Sequence, residues 1–158
     1  MENLQPLKRV PALIKFSQEH HQGLLCVWKI REGFRKSVSA ERIGLYAVHF
    51  FESDLKQHFR NEEEKLFIKL PADNDLRIEA ENDHKIIYGL IDSLRRTPGT
   101  KTLLENFAET LEKHIRFEER QLFPFIQKSV PGKELEEIAA ASGSGPVCEI
   151  PWDDAFWK

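Results

Sequence analysis

A ten-residue phrase occurs twice in this chain and restricts its fold more than any other feature. Residues 58–67 read His-Phe-Arg-Asn-Glu-Glu-Glu-Lys-Leu-Phe, and residues 114–123 read His-Ile-Arg-Phe-Glu-Glu-Arg-Gln-Leu-Phe. Aligned without gaps, they share six of ten positions as H-x-R-x-E-E-x-x-L-F, 56 residues apart. A duplicated helical hairpin leaves such a trace. In each copy the His and the first Glu are four residues apart. On a helix that spacing puts them about 40° apart in azimuth and about 6 Å apart along the axis, so both side chains reach one point beside the helix.

The flanking sequence is helical and clearly punctuated. Helical periodicity runs from about Pro11 to Arg35, Ala40 to Lys69, Asp75 to Arg96 and Lys101 to Lys128, and a short helix from Lys133 to Ala141 follows Pro131-Gly132. Gly33 and Ser37-Val38-Ser39 mark the first break, with Ser37 or Ser39 as N-cap. Pro71 to Asp75 marks the second, and Thr97-Pro98-Gly99-Thr100 the third. No alternating run suggests a strand. The expected fold is all-α, an up-down-up-down four-helix bundle with a short C-terminal helix and an extended tail. Its inward stripes are Val48, Phe51, Leu55, His58, Glu62 and Leu66; Ala80, His84, Ile87, Tyr88 and Ile91; and Leu104, Phe107, Leu111, His114, Glu118 and Phe125.

Each of these stripes carries residues able to hold a metal, and the turns show that they meet. In an antiparallel bundle, residues of one layer are equidistant from the intervening turn. The midpoint of His20 and residue 60 is residue 40; that of residue 60 and His84 is residue 72; that of His84 and residue 116 is residue 100. All three fall on breaks identified independently. His20 or its neighbour His21 thus joins His58, Glu62, His84, His114 and Glu118 in one layer; the two are about 100° apart, so one of them faces it. His49 lies on the opposite side of its helix, and Glu63, Glu64 and Glu119 are expected in solvent, where Arg60 and Arg116 pair with them. Imidazole and carboxylate suit iron, manganese or zinc. Two octahedral metals offer about twelve positions, which four histidines, two bridging carboxylates and an oxo or hydroxo bridge fill to within roughly two. Six polar residues in a core with no ligand would be costly.

Over about residues 10–130 the chain resembles the hemerythrin-like HHE cation-binding domain family. The likeness rests on Ser17-Gln18-Glu19-His20-His21, on the two repeats, on Asn82-Asp83-His84-Lys85 and on Pro124 after the second repeat. It favours His20 over His21. It implies two non-haem iron ions, oxo- or hydroxo-bridged, with His20 and His58 on one, His84 and His114 on the other, and Glu62 and Glu118 bridging. The chain departs from the family's oxygen carriers in two places. Tyr88 stands where they carry a fifth histidine, one turn after His84, and the fourth-helix motif has Glu118 where they have an aspartate one residue later. Tyr88 is therefore a candidate group at the open site, as a phenolate ligand or a hydrogen-bond donor.

Composition narrows the function classes. A net charge of −3 offers no concentrated basic face for nucleic acid, and no apolar run approaches the length of a membrane span. Cys26 and Cys148 form no CxxC, and the opening residues show no secretory pattern, so a cytoplasmic protein is expected. The bundle is expected over residues 1–141 and a linker and aromatic tail over 142–158. Trp152, Phe156 and Trp157 either pack back on the bundle or anchor a protein partner. The leading functional reading is binding of dioxygen, peroxide or nitric oxide, for sensing, scavenging or the handling of iron and oxidative stress. A di-iron peroxidase or oxidase and an iron-dependent partner-binding module are the alternatives.

Overall fold

The computed structural model describes residues 8–142, 147–149 and 151–158. Among these all regular structure is helical. Helix α1 spans Pro11–Arg35 with a proline in its first turn, where no N–H is needed. Helix α2 occupies residues 40–69 and opens on Ser39, whose hydroxyl accepts from the Arg42 N–H. Helix α3 spans Asp75–Arg96, capped by Asn74 accepting from the Arg77 N–H at 3.0 Å. Helix α4 occupies residues 101–129, and α5 spans Gly132–Ala141. The Ser37 turn between α1 and α2 takes a left-handed conformation at φ 59°. At the α3–α4 turn a β-carbon on Gly44 would collide with the Pro98 carbonyl, so glycine lets this turn sit directly on α2.

The expected fold class holds, but two helices are not uniform. Helix α2 runs as α-helix over Ala40–Phe50, widens to a π turn over Phe51–Leu55, resumes over Lys56–Asn61, widens again over Glu62–Leu66 and ends in a 3₁₀ turn at Phe67–Lys69. Helix α4 is α-helical over Lys101–Phe117, widens over Glu118–Leu122 and resumes over Phe123–Ser129. Glu62–Leu66 and Glu118–Leu122 are the same five positions of the repeat. A π turn takes one extra residue and slides the inward face by that residue. Hence Phe123 and Ile126 are fully buried, while Phe125, expected inward from uniform periodicity, is only partly so.

Helix α1 packs chiefly on α4 and α3 on α4; contacts of α2 with α1 and α3 close the ring, and α5 lies along α1. The buried apolar residues form two separate clusters. One gathers Cys26, Val27, Ile30, Ile43, Phe50, Phe51, Phe59, Ile91, Phe107 and Leu111. The other, nearer α5, gathers Leu13, Phe16, Leu66, Phe67, Leu122, Phe123, Ile126, Leu135 and Ile138. The linker read at residues 142–146 falls, for 143–146, outside the described residues. The tail beyond it packs back on α1 and α2. Phe156 is buried against Gly33 and Ile43, where a β-carbon at position 33 would press within 2.8 Å of both the Ile43 side chain and the Phe156 ring. Lys29, buried, pairs with Glu149 and lies 4.1 Å from the centre of the Trp157 ring. Arg42 clasps Asp154 through two bonds of 2.6 and 2.9 Å. No described helix is long and apolar enough to cross a membrane.

Candidate metal centre

Between the two apolar clusters lies a layer of buried polar side chains, one or two from each helix. His20 comes from α1, His58 and Glu62 from α2, His84 from α3, and His114 and Glu118 from α4; none is more than 3% exposed. Two groups of four ligand atoms, each within 4.8 Å of one another, can be drawn from them. One comprises His20, His58, Glu62 and Glu118, the other Glu62, His84, His114 and Glu118. Both glutamates belong to both groups. Glu62 Oε1 lies 3.2 Å from His58 Nε2 and 3.2 Å from His84 Nε2, and its Oε2 lies 3.6 Å from His20 Nε2. Glu118 Oε1 lies 3.2 Å from His20 Nε2 and 2.7 Å from His114 Nε2. All four imidazoles turn the same nitrogen inward.

The backbone N–H of Glu62 still closes on the His58 carbonyl and that of Glu118 on the His114 carbonyl, so the spacing that joins His to Glu is the ordinary one. The π turn begins at the glutamate itself. It places the second glutamate of each Glu-Glu pair against the neighbouring helix instead of in solvent, which corrects the expectation for Glu63 and Glu119. Glu119 Oε2 is 2.7 Å from His20 Nδ1 and also accepts from the Ser17 hydroxyl, with Arg9 alongside. Glu63 Oε1 is 2.9 Å from His84 Nδ1. Asp83 Oδ2 is 3.0 Å from His114 Nδ1, and Glu19 Oε2 is 3.5 Å from His58 Nδ1. The arginines of the repeat do not take these acids: Arg116 bonds Glu112 instead.

The remaining assignments resolve simply. His20 faces the layer and His21 is exposed. The His49 ring lies tilted against that of Trp152 at 4.6 Å and joins neither ligand group. The half-buried ring of Tyr88 meets Phe51 and Phe59 edge-on at 5.4 and 6.0 Å. Burial, with Glu63 nearby, pushes its hydroxyl above the ordinary tyrosine value. Sequence reasoning missed two aromatic walls. Phe123 stacks on His20 at 5.1 Å and Phe67 faces His84 at 5.4 Å. Their signal was present, since both are the last letter of the repeat.

The electrostatics call for positive charge. Burial alone would strip the proton from each histidine, but the surrounding carboxylates outweigh it. His58 is raised to about 9 and His114 to about 10, and His20 and His84 are raised too. Burial likewise opposes the Glu62 charge, yet His58 and its neighbours hold that carboxyl well below its usual range. Left to itself the layer therefore fills with protons. Their hydrogen bonding is poor: both His58 nitrogens, the inward nitrogens of His84 and His114, both Glu62 oxygens and Glu118 Oε2 are buried without a hydrogen-bond partner. Such orphaned atoms are expensive unless something else satisfies them. Nitrogen and oxygen donors converging on two points, with no thiolate among them, fit hard to borderline divalent cations.

A family model described as the Hemerythrin HHE cation binding domain matches residues 29–126 of the chain. That span holds His58, Glu62, His84, His114 and Glu118, and His20 precedes it. Searches among curated proteins and among solved structures gave no match.

Proposed function

The chain belongs to the hemerythrin HHE cation-binding domain family, and on that premise we propose that it is a non-haem di-iron protein binding dioxygen, peroxide or nitric oxide. One observation carries the reading: two four-donor groups share both of their carboxylates and leave buried donor atoms unsatisfied. A single ion would use one group and strand the histidines of the other. His20 and His58 would hold one iron, His84 and His114 the second, and Glu62 and Glu118 would lie between them. Two neutral imidazoles and two shared carboxylates per ion resemble the ligand balance that redox-active iron accepts. When bound, an iron pair supplies reversible electron transfer to a small oxygen or nitrogen ligand.

The protein's own contribution is binding, orientation and exclusion of water. Phe16, Phe59, Phe67 and Phe123 wall the layer with apolar surface, which limits solvent access and tunes potential. The inward histidine nitrogens give up their protons as cations enter, so loading releases acid. Tyr88, one turn beyond His84, is the nearest phenol on α3 and is offered as a hydrogen-bonding group at the ligand pocket. A small chain of this kind suits sensing, scavenging or the handling of iron and oxidative stress.

The deciding experiment is elemental analysis of aerobically purified protein together with its visible spectrum. The expected result is close to two irons per chain with near-ultraviolet and visible charge-transfer absorption that changes when azide or nitric oxide is added. Zinc or no metal, even after anaerobic reconstitution with ferrous iron, overturns the reading.

A further inference from the structure

The four carboxylates outside the ligand layer are not scattered. Glu19 of α1 faces His58 of α2; Glu63 of α2 faces His84 of α3; Asp83 of α3 faces His114 of α4; and Glu119 of α4 faces His20 of α1. The set runs in one direction around the bundle and closes on itself. Every contact is made to Nδ1, the nitrogen turned away from the layer, at 3.5, 2.9, 3.0 and 2.7 Å in that order. The sequence places them by a simple rule. On α1 and α3 the acid immediately precedes the histidine, as Glu19-His20 and Asp83-His84. On α2 and α4 it immediately follows the shared glutamate, as Glu62-Glu63 and Glu118-Glu119.

We propose that Glu19, Glu63, Asp83 and Glu119 are positioning residues, each fixing the imidazole of the next helix for metal binding. The inference rests on the metal reading above and adds to it which groups aim the ligands. An imidazole has two tautomers, and only the one protonated at Nδ1 presents a lone pair at Nε2 to the layer. A carboxylate at Nδ1 selects that tautomer, holds the ring plane and makes the inward nitrogen more basic. Because each acid and the ligand beside it in sequence belong to one helix, a shift of that helix moves its own ligand and the aim of its neighbour's together. Four helices are thereby tied into a closed chain of dependence. Glu119 is the best supported of the set, gripped by Ser17 and Arg9; Glu19 is the loosest, and His58 Nδ1 makes no hydrogen bond.

The test is cobalt(II) binding, with cobalt standing in for iron as a paramagnetic ion of similar donor preference. Four alanine variants, Glu19→Ala, Glu63→Ala, Asp83→Ala and Glu119→Ala, are titrated beside the amide variants Glu19→Gln, Glu63→Gln, Asp83→Asn and Glu119→Gln. An amide oxygen still accepts from Nδ1, so these retain the aim without the charge. Alanine at 63, 83 or 119 is expected to weaken cobalt binding about 10–100-fold, with the smallest loss at 19, and the amides to restore much of it. In the proton spectrum of the loaded protein, each alanine variant is expected to displace the exchangeable, paramagnetically shifted N–H signal of the histidine on the following helix alone. A general loss of fold would move all such signals together. Wild-type affinity in every alanine variant overturns the inference and leaves the metal reading standing. So does displacement of the signal from the same helix's histidine. If the wild type itself binds neither cobalt nor iron, the metal reading falls and the inference falls with it.

Discussion

His20 is stacked by Phe123 at 5.1 Å and His84 is faced by Phe67 at 5.4 Å, and each phenylalanine ends one copy of the repeat. On that side the two halves of the centre match. On the other walls they differ. The residue one turn before the α1 histidine is Phe16, whose ring lies 5.9 Å from His58; the corresponding residue on α3 is Ala80. The residue after the α2 histidine is Phe59, stacked on His84 at 3.8 Å; the corresponding residue on α4 is Ile115, whose side chain runs against Gly23. Bulk is exchanged between walls: the His20/His58 half takes its extra aromatic from the α5 side of the layer, the His84/His114 half from the opposite side. The outer carboxylates differ as well, at 2.7 and 3.5 Å in the first half and 2.9 and 3.0 Å in the second. Groups that must touch the centre are repeated, while groups that only fill space around it are free to trade places, as packing demands volume and not identity.

The comparison breaks most completely if a shared residue is removed. Glu62→Ala is expected to empty both halves, seen as near-zero metal by elemental analysis, because Glu62 belongs to both ligand groups. His58→Ala and His114→Ala are expected to empty only their own halves and leave about one metal per chain, a stoichiometry that follows from four-donor sites. Loss of both metals from either histidine variant would mean that the halves fill as one unit. Next comes Phe59→Ala. Removing a fully buried ring costs about 3–5 kcal/mol of stability, to be read from denaturant unfolding of the metal-free protein. Its metal-affinity loss is expected at the His84/His114 half alone.

A pH series acts on both halves together and more gradually. In the metal-free protein His58 and His114 are raised to about 9 and about 10. A raised histidine stabilises the fold below its unfolded value of roughly 6.5, and that contribution disappears as pH climbs through the folded values. The melting temperature of the metal-free protein is therefore expected to fall between about pH 7 and pH 10, while metal uptake improves over the same range as protons cease to compete. A flat or rising metal-free curve would refute this electrostatic account. The smallest effect at the centre is expected from Phe156→Ala. The tail ring packs on Gly33 and Ile43, far along α1 from His20, so melting temperature falls but metal content is unchanged.

Much of this was legible in the chain because duplication wrote it twice. Five ligand candidates, and a sixth narrowed to His20 or His21, follow from the repeat, the turn midpoints and the requirement that antiparallel helices share a layer; the family resemblance favoured His20. The structure brings His20 and the other five together. The outer acids were present as letters and misread. Uniform α-helical geometry puts Glu63 and Glu119 about 100° from their inward neighbours, hence toward solvent. The π turns at Glu62–Leu66 and Glu118–Leu122 change that angle, and no propensity scale marks where a helix will widen. Phe125 was misplaced for the same reason. Helix α1 ends at Arg35, as its periodicity and the nearby Gly33 indicated, but the glycine also makes room for Phe156, a contact between residues far apart in sequence that no local signal marks.

The two apolar clusters do not merge; the His/Glu layer lies between them. A protein built this way has a seam at mid-height, and the seam is where its cooperativity is decided. With cations clamping all four helices, heat must break both ends at once, and the calorimetric and van't Hoff enthalpies are expected to agree. Without them, each end holds its own oil drop on either side of a buried polar partition, and the chain is expected to melt as two calorimetric units. Metal occupancy then sets how many pieces the molecule unfolds in, over and above how hot it must become.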